Sequence, residues 1–399
     1  MFPYLITFFL SIVLCAAAEQ VWQRHHMALS IPFLAASVLA PVFLAGARDY
    51  SVGTDIQTYG NYVFQYALNR NSLASAVRGM REIDPLYKAL AYEIAQFTDN
   101  PHWLYFFTAL IICAFTMAGL LFYRRYCSVT LGWTCFLFLF YGDTLNTMRQ
   151  CLALAVVFFG FALFVRVRND QIYRRKPWPA YAAGYALCLV LLYTGVQFHT
   201  TGMIAVCLPV LYLFLERVPL KWVQFFFVIA CMAVIMFYSP VARGVLRMGF
   251  LPAKFSRYLA KGVAVALKPT ILRLPFVVPI LFYYDRYCGF QTGETGFTRT
   301  DGMFITMMLF LEICTVQLRS VLPALYRISY YFGYFRFLAY PRLVRILRRD
   351  NRALVTALLL AYLVVVWYYQ NVMQGNNEIY PYVYAPDWWF RCGVAIPVN

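Results

Sequence analysis

Apolar runs close to bilayer length recur along almost the whole chain, and nothing else in the sequence limits its fold so tightly. They fall at about 2–18, 29–46, 103–123, 129–142, 150–166, 179–196, 200–215, 222–238, 269–284, 302–318, 320–341 and 353–370. About 20 apolar residues in a helix cross the ~30 Å hydrocarbon layer, and a helix satisfies its own backbone there. The pattern predicts an all-α fold, a polytopic integral membrane protein with about twelve transmembrane helices. Several runs are short or carry proline, and these are expected to pair as hairpins or re-entrant turns. Composition excludes a water-soluble globule: 62% of residues are hydrophobic and 13% charged, against roughly 45–50% and 25% in ordinary soluble domains. With no soluble domain appended, residues 1–399 read as a single transmembrane domain.

The formal charge of +17, from 34 Lys and Arg against 17 Asp and Glu, would point to nucleic acid in a soluble chain. Among membrane spans it reads instead as a topology signal or an anionic ligand, and no nucleic-acid partner is expected. Connections after odd-numbered runs hold Arg24, then Arg124 and Arg125, then Arg166, Arg168, Arg174, Arg175 and Lys176. Later ones hold Arg217 and Lys221, Arg286 and Arg299, and Arg342, Arg345, Arg348, Arg349 and Arg352. Positive charge in short loops marks the cytoplasmic side, so both termini are expected on the outer face. That face then comprises a 47–102 loop, turns at 143–149 and 197–199, a 239–268 loop, a turn near 319 and the 371–399 tail. It still carries Arg48, Arg149, Lys254, Arg257, Lys261, Lys268, Arg319 and Arg327. Orientation alone disfavours cations there, and an anionic ligand accounts for them.

Several outer segments carry residue types suited to chemistry. The stretch Arg48 to Tyr59 and the following Asp84-Pro85-Leu86-Tyr87 place Asp55 and Asp84 near the apolar boundary, where a carboxylate suits general-base work; a helix-capping turn with a local Arg48–Asp49 pair explains the first stretch equally well. Asn146, Arg149 and Gln150 sit at the mouth of the fifth helix, and a cation in a first helical turn opposes the dipole unless it faces a fixed negative charge or snorkels to lipid phosphate. His199 lies in a turn between two apolar runs and is suited to moving a proton near neutral pH, whereas His25, His26 and His102 are expected to be solvated. Arg327, Tyr330 and Tyr331 fall on one helical face and are expected to point into one groove, beside Arg319. Arg257 interleaves with aromatics as a sugar or lipid-phosphate platform does, and equally as an interfacial amphipathic helix does. The aromatic tail around Asn376 to Tyr382 is placed to cap an outer cavity.

The eleven cysteines form no C-x-x-C pair and read as small core residues rather than metal ligands or disulfides. Ala16 to Ala18 after an apolar run mimic a signal peptide, but no Lys or Arg precedes them, so a retained first helix is expected. There is no H-E-x-x-H, P-loop, G-x-G-x-x-G or repeated D-x-D, hence no case for a zinc protease, an NTPase or a metal-bound nucleotide-sugar site. No metal and no cofactor are expected, and the substrate must arrive already activated.

In order, R-D-x-x-x-G-T-D-x-x-x-Y (Arg48 to Tyr59), D-P-x-Y (Asp84 to Tyr87), N-x-x-R-Q-x-x-A (Asn146 to Ala153), F-H (Phe198, His199) and R-x-x-Y-Y (Arg327 to Tyr331) resemble the EpsG branch of the Wzy-type polysaccharide polymerases. The resemblance implies a glycosyltransferase-C-like membrane enzyme, with no metal or cofactor. It would lie in the bacterial inner membrane and join undecaprenyl-diphosphate-linked oligosaccharide repeat units on the periplasmic face, during exopolysaccharide, capsule or O-antigen synthesis. It also implies partner proteins of the same pathway, a flippase and a chain-length regulator. Charge then suggests that Arg149, Arg319 and Arg327 clamp the diphosphate, with Arg48, Asn146, Gln150, Arg257 and Tyr330 lining the substrate. One of His199, Asp55 and Asp84 takes the acceptor proton, His199 slightly favoured for its ordinary pKa. A lipid-linked glycan flippase and an O-antigen-ligase-like transferase use the same cation logic and remain alternatives.

Overall fold

The computed structural model describes every residue except 81, 175–176, 219–220, 223, 227–228, 231–232, 234–266, 290–296, 321–324, 386–387 and 390–399. Among the described residues it is helical with no strand, only an isolated antiparallel bridge between Arg48 and Tyr384. Two compact units divide the chain: Met1–Ala205 with Arg349–Asn399, and Val206–Arg348. The first unit holds α1 (Phe2–Gln23), α2 (Met27–Gly46), α3 (Asn61–Leu68), α4 (Leu73–Arg78), α5 (Pro85–Ala95), α6 (His102–Phe122), α7 (Val129–Leu139), α8 (Tyr141–Asn146), α9 (Met148–Arg174) and α10 (Pro179–Phe198). The second holds α11 (Cys207–Arg217), α12 (Leu267–Ile271), α13 (Leu274–Phe282), α14 (Tyr284–Cys288), α15 (Arg299–Val316), α16 (Ser329–Gly333) and α17 (Arg336–Ile346), after which α18 (Arg349–Trp367) returns to the first.

Seven helices among the described residues are long and apolar enough to cross a membrane: α1, α2, α6, α9, 181–198 of α10, 200–217 ending in α11, and 349–373 beginning with α18. Several of the twelve expected runs take other forms. The 129–142 run is split between the 11-residue α7 and α8. The 269–284 run breaks into α12, α13 and α14, with prolines inside α13 that cannot donate to the helical ladder. From residue 325 on, the 320–341 run is a 3-10 turn, α16 and the start of α17, and 222–238 lies mostly outside the described residues.

Exposed apolar side chains confirm the solvent of the first unit. Phe2, Ile6, Phe9 and Val13 on α1, Leu187, Leu189 and Val190 on α10, and Leu354, Leu358 and Val365 on α18 all face outward, as lipid contact allows and water does not. The central helix is α9, 78% buried in its most apolar window against 28% for α1 and α2. It packs on α10 through small residues: a Cβ at Gly195 would lie 2.5 Å from Val157 Cγ2, and one at Gly160 2.9 Å from Leu191 Cβ. With no hydrophobic drive between helices in lipid, such close approach supplies the packing attraction.

Backbone groups freed inside the bundle find partners on neighbouring helices. Pro41 cannot donate to the Ser37 carbonyl, four residues back, and Ser11 Oγ of α1 donates to that oxygen at 2.6 Å while Trp133 Nε1 donates to Ser11 Oγ at 2.8 Å. At the start of α7 the Glu19 carboxylate accepts from Thr130 N and Ser128 Oγ, both at 2.9 Å. A carboxylate at a helix N-terminus satisfies orphan N–H groups and meets the positive dipole end.

Antiparallel helices give the first unit two distinct ends. At one, Tyr4 Oη donates to the Ile379 carbonyl at 2.9 Å, His102 Nδ1 lies 3.0 Å from the Gly46 carbonyl, and Met148 begins α9. This loop-rich end gathers residues 47–80, 82–101, 140–148, 199–202 and 374–385. The opposite, arginine-rich end holds Arg24, Arg124, Arg125, Arg166, Arg168 and Arg174.

Candidate functional site

Where α2 ends, the chain runs antiparallel to the tail: Asp49 N donates to the Val383 carbonyl at 2.9 Å and Ala385 N to the Ala47 carbonyl at 2.8 Å. Arg48 turns inward from this strap and is 1% exposed. Its Nη1 donates to the Leu145 carbonyl at 2.7 Å, its Nη2 lies 3.2 Å from Met148 Sδ, and its guanidinium sits 5.3 Å from the Tyr105 ring centre. Nε has no partner among the described residues. Burial pulls its pKa below the ordinary arginine value. Arg48 thus braces the turn that precedes Arg149 from inside the protein. Asp49 bonds Ser51 N at 2.9 Å and Ser51 Oγ at 2.7 Å, a local turn of the kind aspartate favours.

Gly53 has φ +90°, a region L side chains avoid, and a Cβ there would lie 2.5 Å from the Leu145 carbonyl oxygen. Its N–H donates to the Glu378 carbonyl at 3.0 Å, and the neighbouring Thr54 hydroxyl bonds the Glu378 carboxylate. Asp55 N donates to Asn146 Oδ1 at 3.1 Å. A single π turn, Ile56–Gly60, follows, a form enriched at functional sites. It carries Tyr59, whose ring centre lies 4.4 Å from the Arg149 guanidinium.

Arg149 is the point where the segments meet. Its Nη1 donates to Asp84 Oδ2 at 3.0 Å, with the two side chains 13% and 12% exposed, and its Nε is buried without a partner among the described residues. Asp84 Oδ1 accepts from both Thr200 N and Thr200 Oγ1 at 3.1 Å. A fixed negative charge therefore does face the cation in the first turn of α9. Next in the turn, His199 Nδ1 accepts from Thr201 N at 3.2 Å and lies 2.7 Å from Thr201 Oγ1. An acceptor Nδ1 puts the proton of a neutral ring on Nε2, which makes Nε2 the donor of that tautomer. Gln150 is buried in the same helical turn.

Segments 48–59, 84–87, 146–150 and 198–201 thus come together in the first unit, with the tail residue Glu378 as an addition that spacing did not reveal. The fifth segment belongs to the second unit. There Arg327 is exposed, Tyr331 is buried, and Tyr330 packs edge-on to Tyr326 at 5.3 Å between ring centres. Arg327 lies in the 3-10 turn Leu325–Ile328 and Tyr330 and Tyr331 in α16, so the three do not share one continuous α-helix. Arg319 lies in the 3-10 turn Gln317–Ser320, and Arg257 lies outside the described residues. His102, expected to be solvated, is instead buried and stacked on Tyr50 at 4.7 Å between ring centres.

The second unit holds an ionic cluster the sequence reading missed. Arg273 Nε donates to Glu312 Oε1 at 2.6 Å, and Arg336 Nη2 approaches the same oxygen at 3.3 Å, all three side chains being at least nine-tenths buried. The available signal was Glu312 itself, a lone carboxylate in the apolar heart of α15.

The EpsG family model matches residues 31–384, a span that takes in every segment described above from Arg48 to Tyr384. Neither the curated proteins nor the solved structures give a match to the chain.

Proposed function

The chain belongs to the EpsG family, a Wzy-like polymerase family, and from that premise we propose that it is a membrane glycosyltransferase joining undecaprenyl-diphosphate-linked oligosaccharide repeats. The observation that carries this reading is Arg149, a guanidinium seated between the Asp84 carboxylate and the Tyr59 ring with a buried donor to spare. An acceptor sugar hydroxyl attacks the anomeric carbon of the donor, the bond to the diphosphate oxygen breaks, and the diphosphate departs with the electron pair. Bidentate guanidinium bonds meet that developing charge in a partly dehydrated site. Asp84 orients Arg149 and fixes the 199–201 turn, since both its oxygens are already engaged. We assign the hydroxyl proton to Asp55, whose backbone is anchored by Asn146. His199 in its Nε2–H form donates to a sugar or phosphate oxygen.

The positive-inside rule puts the arginine-rich end in the cytosol, so in this reading the site faces the periplasm of a bacterial inner membrane. Pathway partners such as a flippase and a chain-length regulator belong to the same proposal. The test is Arg149→Ala in cells: the protein stays in the membrane at normal abundance while surface polymer collapses to single repeats. Normal chain lengths would sink the assignment. Polymer made by purified protein in detergent, with no sealed compartment, argues against a flippase, and lengthening of lipid-linked chains argues against a ligase.

A further inference from the structure

At the arginine-rich end of the first unit, a cavity of about 150 Å³ is lined by Leu121, Phe122, Arg124, Arg125 and Arg166. It lies well apart from the candidate site, since Arg149 and Arg166 are 17 residues apart on α9, about 26 Å at 1.5 Å per residue. Two packed helices and a tight turn build it. After α6 the chain turns tightly, Tyr126 N donating to the Tyr123 carbonyl at 2.7 Å, and both tyrosines are buried. Arg124 and Arg125, which lie between them, are left exposed. Arg166 comes from α9, held against α6 by ring contacts such as Phe122–Phe159 at 5.6 Å and Tyr123–Phe158 at 6.5 Å between centres. The Arg124 guanidinium sits 5.1 Å from the Trp22 ring centre of α1.

Three guanidiniums around one small cavity repel each other, and partial desolvation, with the charges of Arg125 and Arg166, pulls the Arg124 pKa down. Two acids at this end of the unit are used elsewhere. Glu19 caps α7, and Asp170 pairs with Arg174 at 2.7 Å. Neither Arg125 nor Arg166 has an ion pair among the described residues. The volume is roughly ten times the ~10–15 Å³ that one water needs, and the walls join cations to the apolar end of α6.

We propose that this cavity binds a phosphate group, carried by an anionic lipid headgroup or by a soluble phosphate compound. Forked guanidiniums suit phosphate oxygens, and basic pockets between membrane helices are the known form of headgroup sites. The inference stands apart from the polymerase reading, because its readout is binding alone.

The full chain, purified in detergent at low ionic strength, is titrated with phosphatidylglycerol, phosphatidylcholine and sodium pyrophosphate, and binding is read by native mass spectrometry. Phosphatidylglycerol should bind more tightly than phosphatidylcholine, and Arg125→Gln with Arg166→Gln should weaken it roughly tenfold or more. Arg174→Gln, on the same end but already paired with Asp170, should change it by less than about twofold. Competition by pyrophosphate assigns the soluble source, and its failure with lipid still bound assigns the lipid; either supports the site. Equal binding of the two lipids with no pyrophosphate binding, or wild-type affinity in the double variant, overturns it. Should the double Gln variant not purify, Arg125→Lys with Arg166→Lys keeps the charge and loses the fork. Unchanged affinity there also counts against the proposal.

Discussion

Two glycines in the loop-rich end offer a paired test of how the 48–55 loop is held. Gly53 has φ +90° and Gly375 φ +61°, so alanine at either meets the left-handed penalty, about 1–2 kcal/mol. The unfolded chain loses the same freedom in both cases, so that contribution cancels in the comparison. Crowding separates them: a Cβ at 53 would lie 2.5 Å from the Leu145 carbonyl oxygen, whereas nothing lies within 4 Å at 375. Ordinary carbon–oxygen contacts are about 3.3–3.6 Å, so something must shift by roughly 0.8 Å or more. If the carbonyl moves, its 2.7 Å bond from Arg48 is strained, worth about 1.5–3 kcal/mol for a charged donor. If the loop moves, the bond from Gly53 N to the Glu378 carbonyl goes, worth about 0.5–1.5 kcal/mol. Gly53→Ala should therefore cost about 1–3 kcal/mol more than Gly375→Ala, measured by equilibrium unfolding in mixed detergent micelles. In an Arg48→Met background the excess should shrink, since the carbonyl is no longer pinned. Equal penalties at 53 and 375 would refute the close-approach argument.

In the second unit, Glu312→Gln leaves two buried guanidiniums without their anion and should cost about 3–5 kcal/mol in the same unfolding assay, whereas Arg273→Met, Glu312→Met and Arg336→Met together should come close to wild type. Gly195→Val forces α9 and α10 apart and should cost about 1–3 kcal/mol, seen as lower membrane abundance; unchanged abundance and unfolding would mean that the contact is not needed. Burial, the main cause, pushes the Cys288 thiol up to about 12, so its thiolate fraction at pH 8 falls well below that of an ordinary cysteine. Its alkylation should run roughly a thousandfold slower than for a free thiol, and labelling at the ordinary rate would contradict its burial. Thr200→Val removes one of the bonds on Asp84 Oδ1 and should lower polymer yield without lowering abundance, an outcome read from surface polysaccharide on gels.

Much of this arrangement was legible beforehand. Bilayer-length runs announced the helices because lipid leaves a backbone few ways to satisfy itself. Cations opposed to the topology rule singled out Arg149, and its partner Asp84 lay in a segment already marked. What escaped has a physical reason in each case. Loop spacing carries no direction, so nothing told Arg48 to turn inward to Leu145 rather than outward to a ligand. The role of His199 depends on which ring nitrogen Thr201 occupies, a matter of side-chain orientation that sequence does not carry. The Arg273–Glu312 pair spans 39 positions and the Thr54–Glu378 contact 324, separations over which periodicity says nothing. The change from a 3-10 turn at Leu325–Ile328 to α16 removes the continuous helix on which the helical-face argument for Arg327 and Tyr331 was built.

The strap between residues 47–49 and 383–385 also bears on biosynthesis. A chain made from its N-terminus threads α1 and α2 into the bilayer long before Glu378 and Val383 exist, so the Asp49 and Gly53 amides must wait through every intervening helix for their acceptors. That rim therefore closes late in assembly, and a nascent polypeptide that has not yet reached Glu378 and Val383 leaves the Asp49 and Gly53 amides without these acceptors.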